Sequence, residues 1–528
     1  MMKRQLLFFF LCIVNSIISF AQPSFVRSYG GADTEIPQAI LLLPDSGYVI
    51  TGSTRSFGPN NVNIYIMRLD KYGDTLWTKV IGNGGENGRD VILLDDHQEL
   101  ILANGQSMLP GNSSNLMKMD LNGNLIWSRA YGGSSVDNIF DVLPTIDNGF
   151  IAVGYSTSAS APYSNVFVMK TDSAGILQWC RHYGGLKWDY GYSIEPVPAG
   201  GYIIAGSTSS FNNAANNAPD AILLRINLSG DTLWAKRYSD APYIVGGSSV
   251  IVLPDGFLLA GGMSDSVPGM TENIILIRTD TVGDTLWTKQ YRKPLAENIA
   301  KIIHTSDNGF LIAGQTASSA FDWDIYLIRT DSLGDTLWTR GIGGTEHDVA
   351  RDIIKAGDNF AILSQSVSFS VTGTGNDYDM VLSFIDSNGY SSCFQKELTA
   401  MTVTTPNIVV ANFSPSIIYS CSQLANTPQI TYGATLIDWC TPQAVHSIDQ
   451  QEFIMDSYPN PFDDKLIFTT DNNQLYEIVL YDIVSRKLLQ QTFMNTAILN
   501  TEQLASGFYI YEVRDKNGKV ANGKVIKQ

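Results

Sequence analysis

Residues 73–79 read GDTLWTK, and the string returns as GDTLWAK at 230–236, GDTLWTK at 283–289 and GDTLWTR at 334–340. A catalytic motif is normally written once, whereas a string recurring about every fifty residues marks repeated architecture. Aligned on its tryptophan, the period covers most of the chain: Trp77, Trp127, Trp179, Trp234, Trp287 and Trp338 are separated by 50, 52, 55, 53 and 51 residues. Phe25 stands 52 residues before the first, and Cys393 stands 55 after the last in the matching place. Seven units therefore lie between Phe25 and Cys393.

Each unit carries the same parts. A segment such as WSRAYGG or WTRGIGG is followed by one such as DVARDIIKA, then a tight turn into an apolar run (DSGYVITGST, DNGFIAVGYST, DNGFLIAGQT), then an alternating run ending in Asp (NVFVMKTD, NIILIRTD, DIYLIRTD). Period-two alternation, β-branched residues and Gly/Asp/Asn turns make these strands. Four antiparallel strands repeated seven times describe a β-propeller. The D-x-x-G-x-x-x-W pattern resembles the tryptophan-docking repeat of the PQQ-type (quinoprotein-like) β-propellers. By that resemblance Asp70, Asp120, Asp172, Asp280, Asp331 and Asp386, with Asn227 in the fourth unit, hold the turn joining the third and fourth strands, and the indole packs between blades. The resemblance does not extend to the cofactor, because the adjacent-cysteine pair of those enzymes is missing. Eight fourth-strand segments serve seven sets of the other three. FVRSYGG is therefore expected to close the last blade as its outer strand, and the degenerate GYSSCFQKE to lead away. A basic residue stands two before six of the seven turn positions (Arg68, Lys118, Lys170, Arg225, Arg278, Arg329), and each is expected to pair locally within its own blade.

The chain has 528 residues, more than one ordinary core serves. Its net charge of −17 argues against nucleic acid or an anionic membrane surface as partner. Lys3 and Arg4, an apolar run from Leu6 to Ile18, and small residues before Gln22 follow the grammar of a secretory signal peptide over residues 1–21. That run is short for a bilayer span, and no later segment approaches one. Cys180, Cys393, Cys421 and Cys440 remain after cleavage, and Cys421–Cys440 is the favoured disulfide candidate in an oxidising compartment. Nothing in the cysteine and histidine spacing suggests a metal site.

From residue 449 the grammar changes to YPNPFDDKLIF, YEIVLYDIVSRKLLQQ and LASGFYIYEVRDKNGKVANGKVIKQ. These residues resemble the type A C-terminal sorting domain of the type IX secretion system of the Bacteroidetes, in the order Pro459-Asn460-Pro461, a central L-Y-D strand, Gly507-x-Tyr509, and Lys524 to Lys527. Ser485 stands where the family usually has glycine. The resemblance implies export by the Sec and type IX machineries, and tail cleavage followed by release or attachment to lipopolysaccharide. The expected fold is all-β: a seven-bladed β-propeller over 22–398, a cysteine-bearing β-rich linker over 399–448, and a small C-terminal β-sandwich over 449–528.

Function is expected at the loops that vary between units, where binding residues sit on a rigid scaffold. Trp188, Tyr190, Tyr163, Phe211, Trp323 and His347 are candidates for a face that binds a glycan or a protein, together with the post-glycine acids Asp137, Asp189 and Asp348, and Asp90 one residue further on in its unit. No G-x-S-x-G, H-E-x-x-H, phosphate loop or calcium loop occurs, so no catalytic residue and no cofactor is assigned. A secreted or cell-surface binding module is the leading expectation. An extracellular carbohydrate-active enzyme using carboxylates on the variable-loop face is the alternative.

Overall fold

The computed structural model describes residues 25–527 apart from 439–454 and short loop stretches, the longest being 106–112, 212–218 and 265–271. The chain divides into two units, Met1–Thr441 and Pro442–Gln528. The signal-peptide segment lies outside the described residues.

In the first unit, the described residues form seven five-stranded antiparallel sheets. The first sheet pairs Glu35–Leu42, Tyr48–Thr54, Asn63–Leu69 and Thr75–Ile81 in that order, and the others repeat the pattern. The first strands of neighbouring sheets pack against one another all the way round, with Glu35–Leu42 between Asn87–Leu93 and Asp348–Ala356. That closed cycle is a β-propeller. Sheets stacked face to face bury both sides of their middle strands, so YVITGST and NIYIMRL are buried at every position. Each gap between sheets holds its own core. Ile151, Val153, Val166 and Val168 of the third sheet, for example, meet Ile204, Ile222 and Leu224 of the fourth.

The recurring string is explained by contacts between blades. Asp70 Oδ1 accepts the backbone N–H groups of Tyr72 and Asp74, fixing the turn. Gly123, the turn glycine of the second unit, has φ +75°, and a Cβ there would sit 3.0 Å from the Trp77 ring of the first. The Trp77 indole donates to Leu121 O at 2.9 Å. The tyrosine four residues after the tryptophan donates to the next turn glycine's carbonyl, as in Tyr131 to Gly175 and Tyr238 to Gly283. The aspartate after the glycine takes an ion pair from the preceding blade: Lys236–Asp284 at 2.7 Å, Lys289–Asp335 at 2.6 Å. The basic residues before the turn pair locally, as expected: Arg68 with Asp45, Lys118 with Glu99, Lys170 with Asp147, Arg278 with Asp255 and Arg329 with Asp307. Arg225 instead donates to the carbonyls of Gly200, Tyr202 and Ile226.

Val26–Gly30 pairs with Asp379–Ile385 and so completes the last sheet from the N-terminal side. Phe25 stacks on Phe384 at 5.6 Å and lies against Gly73, the place a tryptophan takes elsewhere. Val26–Gly30 is nevertheless not the outermost strand. GYSSCFQKE does not lead away, because Gln395–Lys396 pairs with Gly341 and Ile342 of the sixth sheet. The following residues, expected as a linker, then add a fifth strand to every other sheet in reverse order. Thr402–Thr404 joins the fifth sheet, Val409–Asn412 the fourth, Ser416–Ile418 the third, Ser422–Ala425 the second, Ile430–Thr431 the first, and Thr435–Asp438 pairs with Val26–Gly30. An outer strand presents a row of unpaired N–H and C=O groups, and this belt covers one such edge on each blade. Cys180, on the strand next to Ser416–Ile418, is disulfide-bonded. Cys421 and Cys440 lie outside the described residues.

The second unit places a three-stranded sheet (Met455–Tyr458, Lys465–Thr470, Thr496–Asn500) and a four-stranded sheet (Lys487–Phe493, Tyr476–Tyr481, Gly507–Asp515, Gly518–Lys527) on one core. Phe462, Leu466, Phe468, Ile478, Val513 and Val525 fill it. Tyr509 donates to Ala505 O at 2.5 Å, and Lys527 Nζ donates to Asp463 O and Thr501 O at 2.7 and 3.0 Å. Lys524 is exposed. Pro461 is among the described residues, whereas Pro459 and Asn460 lie outside them.

Candidate binding site at the channel mouth

Every first strand carries a bulge at the same place. The register shifts between Pro37 and Ala39, Gly88 and Asp90, Ile139 and Asp141, Gly191 and Ser193, Gly247 and Ser249, Ile299 and Lys301, and Ala350 and Asp352. A bulge leaves one extra residue unpaired and re-aims its side chain. Here the extra residues are Gln38, Arg89, Phe140, Tyr192, Ser248, Ala300 and Arg351. Together with the seven residues that follow them, they line one cavity of about 120 Å³ on the propeller axis.

The cavity wall is sorted by chemistry. Arg351, Gln38 and Arg89 from the seventh, first and second blades make a basic arc. Phe140 and Tyr192 from the third and fourth make an aromatic arc, and Ser248 and Ala300 make a small one. The residues that follow add Asp90, Asp141, Lys301 and Asp352 to the same wall. These carboxylates latch blades together: Asp90 Oδ2 accepts from Val142 N, Asp141 Oδ2 from Ile194 N, and Asp352 Oδ2 from Ile40 N. Lys301 Nζ lies 3.5 Å from Asp352 Oδ1, and its side chain keeps 48% of its surface open to channel solvent. The Asp352 carboxylate, ahead of Asp141 and Asp90, holds the Lys301 ammonium above the ordinary lysine range. Burial raises the Asp90 carboxyl, and burial with the Asp90 charge raises Asp141 well above the carboxylate range.

Above the aromatic arc runs a continuous series of rings. Tyr163 meets Trp188 edge-on at 5.5 Å, Trp188 stacks along Tyr190 at 6.4 Å, and Tyr190 along Tyr192 at 6.0 Å. Tyr192 then reaches Phe140 at 5.3 Å, with Tyr155 packed behind both Phe140 and Tyr190. Trp188 and Tyr163 are 39% and 38% exposed, so the series starts in solvent and ends in the channel.

The structure brings together three of the expected binding residues, Trp188, Tyr190 and Tyr163, and places the others elsewhere. Phe211 packs on Phe413 of the belt at 4.7 Å. Trp323 stands opposite Ala317 within the sixth sheet, half-buried. His347 lies beside Tyr378 on the seventh blade, with ring centroids 6.5 Å apart. Asp137, Asp189 and Asp348 are buried and hold their own loops. Each accepts the backbone N–H four residues back, from Gly133, Gly185 and Gly344, and serine or threonine hydroxyls such as Ser158, Ser210 and Ser368. Glu35 and Glu297 do the same with Gly31 and Lys293. Asp90 is not in this set. It belongs to the channel, and in its unit the buried Glu86 lies against Gly82 as Asp137 lies against Gly132. Sequence reasoning missed Phe140, Tyr155, Tyr192, Arg89, Arg351 and Lys301. The signal available was the triplet PQA, GRD, IFD, GYS, GSS, IAK, ARD at one position of the repeat.

Residues 456–528 match the family of secretion system C-terminal sorting domains. The protein is thus secreted or displayed on the cell surface. No helix among the described residues is long and apolar enough to cross a membrane. No curated protein sequence matches the chain. Among solved structures, Sqt1 from Chaetomium thermophilum is similar at 14% identity and TM-score 0.41, covering 65% of this chain and 82% of that one. The extracellular domain of a putative hybrid two component system from B. thetaiotaomicron is similar at 8% identity and TM-score 0.32, covering 93% and 67%. A Bombyx mori GH32 beta-fructofuranosidase mutant in complex with sucrose is similar at 12% identity and TM-score 0.26, covering 73% and 93%.

Proposed function

We propose that this protein is an exported binding module that holds a saccharide at the channel mouth of its propeller. The observation that carries the reading is the series of aromatic rings from exposed Trp188 and Tyr163 to Tyr192 and Phe140 in the channel. Such faces accept the C–H surface of a sugar ring, and the rigid blades hold them without an ordering cost on binding. The sorting domain delivers the propeller through the type IX machinery, and tail cleavage then releases it or attaches it to lipopolysaccharide. The tryptophan lock between blades supports kinship with quinoprotein-like repeats, used here as scaffold alone. The test is a glycan array probed with the chain from residue 22 to 441. A set of bound glycans, with affinity falling at least tenfold in Trp188→Ala at unchanged thermal stability, is the expected result. An array with no binding sinks the reading.

A hydrolytic reading rests on Asp90 and Asp141, neighbouring channel carboxyls whose charges interact. Both already latch adjacent blades. Hydrolysis of an array ligand, abolished in Asp141→Asn with binding retained, would establish it over simple binding.

A further inference from the structure

The basic arc of the channel has no carboxylate partner among the described residues. Arg89 and Arg351 flank Gln38 on one side of the cavity, and neither makes an ion pair with a carboxylate among the described residues. Arg89 Nη1 reaches Gln38 Oε1 only at 3.5 Å, its guanidinium stands 5.2 Å over the Phe140 ring, and its buried Nε has no hydrogen-bond partner. Arg351 directs Nε and Nη2 onto the single oxygen Gln365 Oε1, at 3.1 and 2.8 Å. The repeat cations treat their charge differently, since Arg68, Lys118, Lys170, Arg278 and Arg329 each have a carboxylate. Burial, and behind it the charge of Arg351, weakens the hold of Arg89 on its proton.

The acids of the same cavity do not pair with these guanidinium groups. Asp90, Asp141 and Asp352 are taken by backbone N–H groups of the next blade and by Lys301. Two half-buried guanidinium groups without a counter-ion cost stability, and a bound anion removes that cost. A guanidinium presents its donors in a planar fork that matches a carboxylate. The small side chains of Ser248 and Ala300 leave room beside them in the cavity. The chain's net charge of −17 is no obstacle, because screening confines surface repulsion to about 8 Å at physiological salt.

We infer that Arg89 and Arg351 bind the carboxylate of a uronic-acid saccharide whose ring lies along Tyr192 and Phe140. This rests on the saccharide reading of the channel mouth. The test uses the chain from 22 to 441 and an array of uronate oligosaccharides, each paired with its carboxyl-reduced counterpart. At least one uronate binds tenfold or more tighter than its reduced partner, and both Arg89→Gln and Arg351→Gln erase that preference. Trp188→Ala weakens acid and reduced forms alike. Equal binding of acid and reduced forms, or a preference that survives both arginine substitutions, overturns the inference while leaving the saccharide reading intact. Binding of no saccharide at all overturns both. Without ligand, the melting temperature of Arg89→Gln equals or exceeds that of the parent. A fall of several degrees would make Arg89 a part of the scaffold and overturn its assignment.

Discussion

Gly175 has φ +74°, and a Cβ on it would lie 2.7 Å from the Trp127 ring of the neighbouring blade. Two constraints coincide at one residue: a left-handed backbone that other residues adopt at a cost, and an indole pressed against the space a side chain needs. Gly175→Ala is expected to cost about 1–3 kcal/mol in urea denaturation, whereas Gly357→Ala, at φ +67° with nothing near its Cβ, incurs the backbone part alone. Equal losses at the two sites would show that indole contact contributes nothing. The loop carboxyls give a second residue-scale consequence. Burial pushes Glu297 up to about 7 and Asp348 up to about 6, while an unfolded chain releases those protons near pH 4. Between these values the folded state binds more protons than the unfolded one, so stability falls as pH rises. Asp147, held down to about 2 chiefly by the Lys170 hydrogen bond, acts in the opposite sense, and only below about pH 4. The melting temperature should therefore drop on going from pH 5 to pH 8. Glu297→Gln, which keeps an acceptor for Lys293 N, should flatten that slope. A melting temperature rising over the same interval would contradict the assignment.

At the level of elements, the belt decides how the blades end. Each of its short strands covers an outer strand that would otherwise present open hydrogen-bonding groups, as Val409–Asn412 does for Lys236 to Ser239. A chain stopping at residue 394 exposes all seven edges, that of Val26–Gly30 among them. It should elute from size exclusion as oligomers, while a chain stopping at 441 elutes as a monomer-sized species. A monomeric, equally stable 22–394 chain would show the belt to be dispensable. The belt was hidden in the sequence because segments such as TVT and VVAN are too short to show alternation and bear no fixed residue type. The blades were legible for the opposite reason. One inter-blade contact is made again and again by the same groups, so Gly, Asp, Trp and a cation recur in register. The channel sits between these extremes. Its bulge position recurs in register, yet its residue changes from Arg to Phe to Ser, because nothing structural requires one type there. Trp188 and Tyr163 could be found as aromatics in variable loops, whereas Arg89 and Arg351 sat inside strands that looked like plain scaffold.

For the whole molecule, the two units carry separate cores: the blade interfaces in one, and Phe462, Phe468, Ile478 and Val513 in the other. Stability of the propeller should then not depend on the tail, while its destination should. Removing residues 456–528, the stretch matched by the sorting-domain family, leaves the belt and all seven sheets in place. The truncated protein is expected to fold, with a melting temperature for the propeller transition within about a degree of the full chain, and to accumulate in the periplasm instead of reaching the surface or medium. The reciprocal fusion, residues 442–528 behind a periplasmic reporter, should export the reporter. Cell fractionation in a host with an active type IX pathway, scored against a strain lacking it, reads both. Surface delivery of the truncated chain, or a pathway-independent appearance of the fusion, would refute the division of labour. A collapse of the melting transition on truncation would instead show that the tail is part of the propeller's fold, which its separate core argues against.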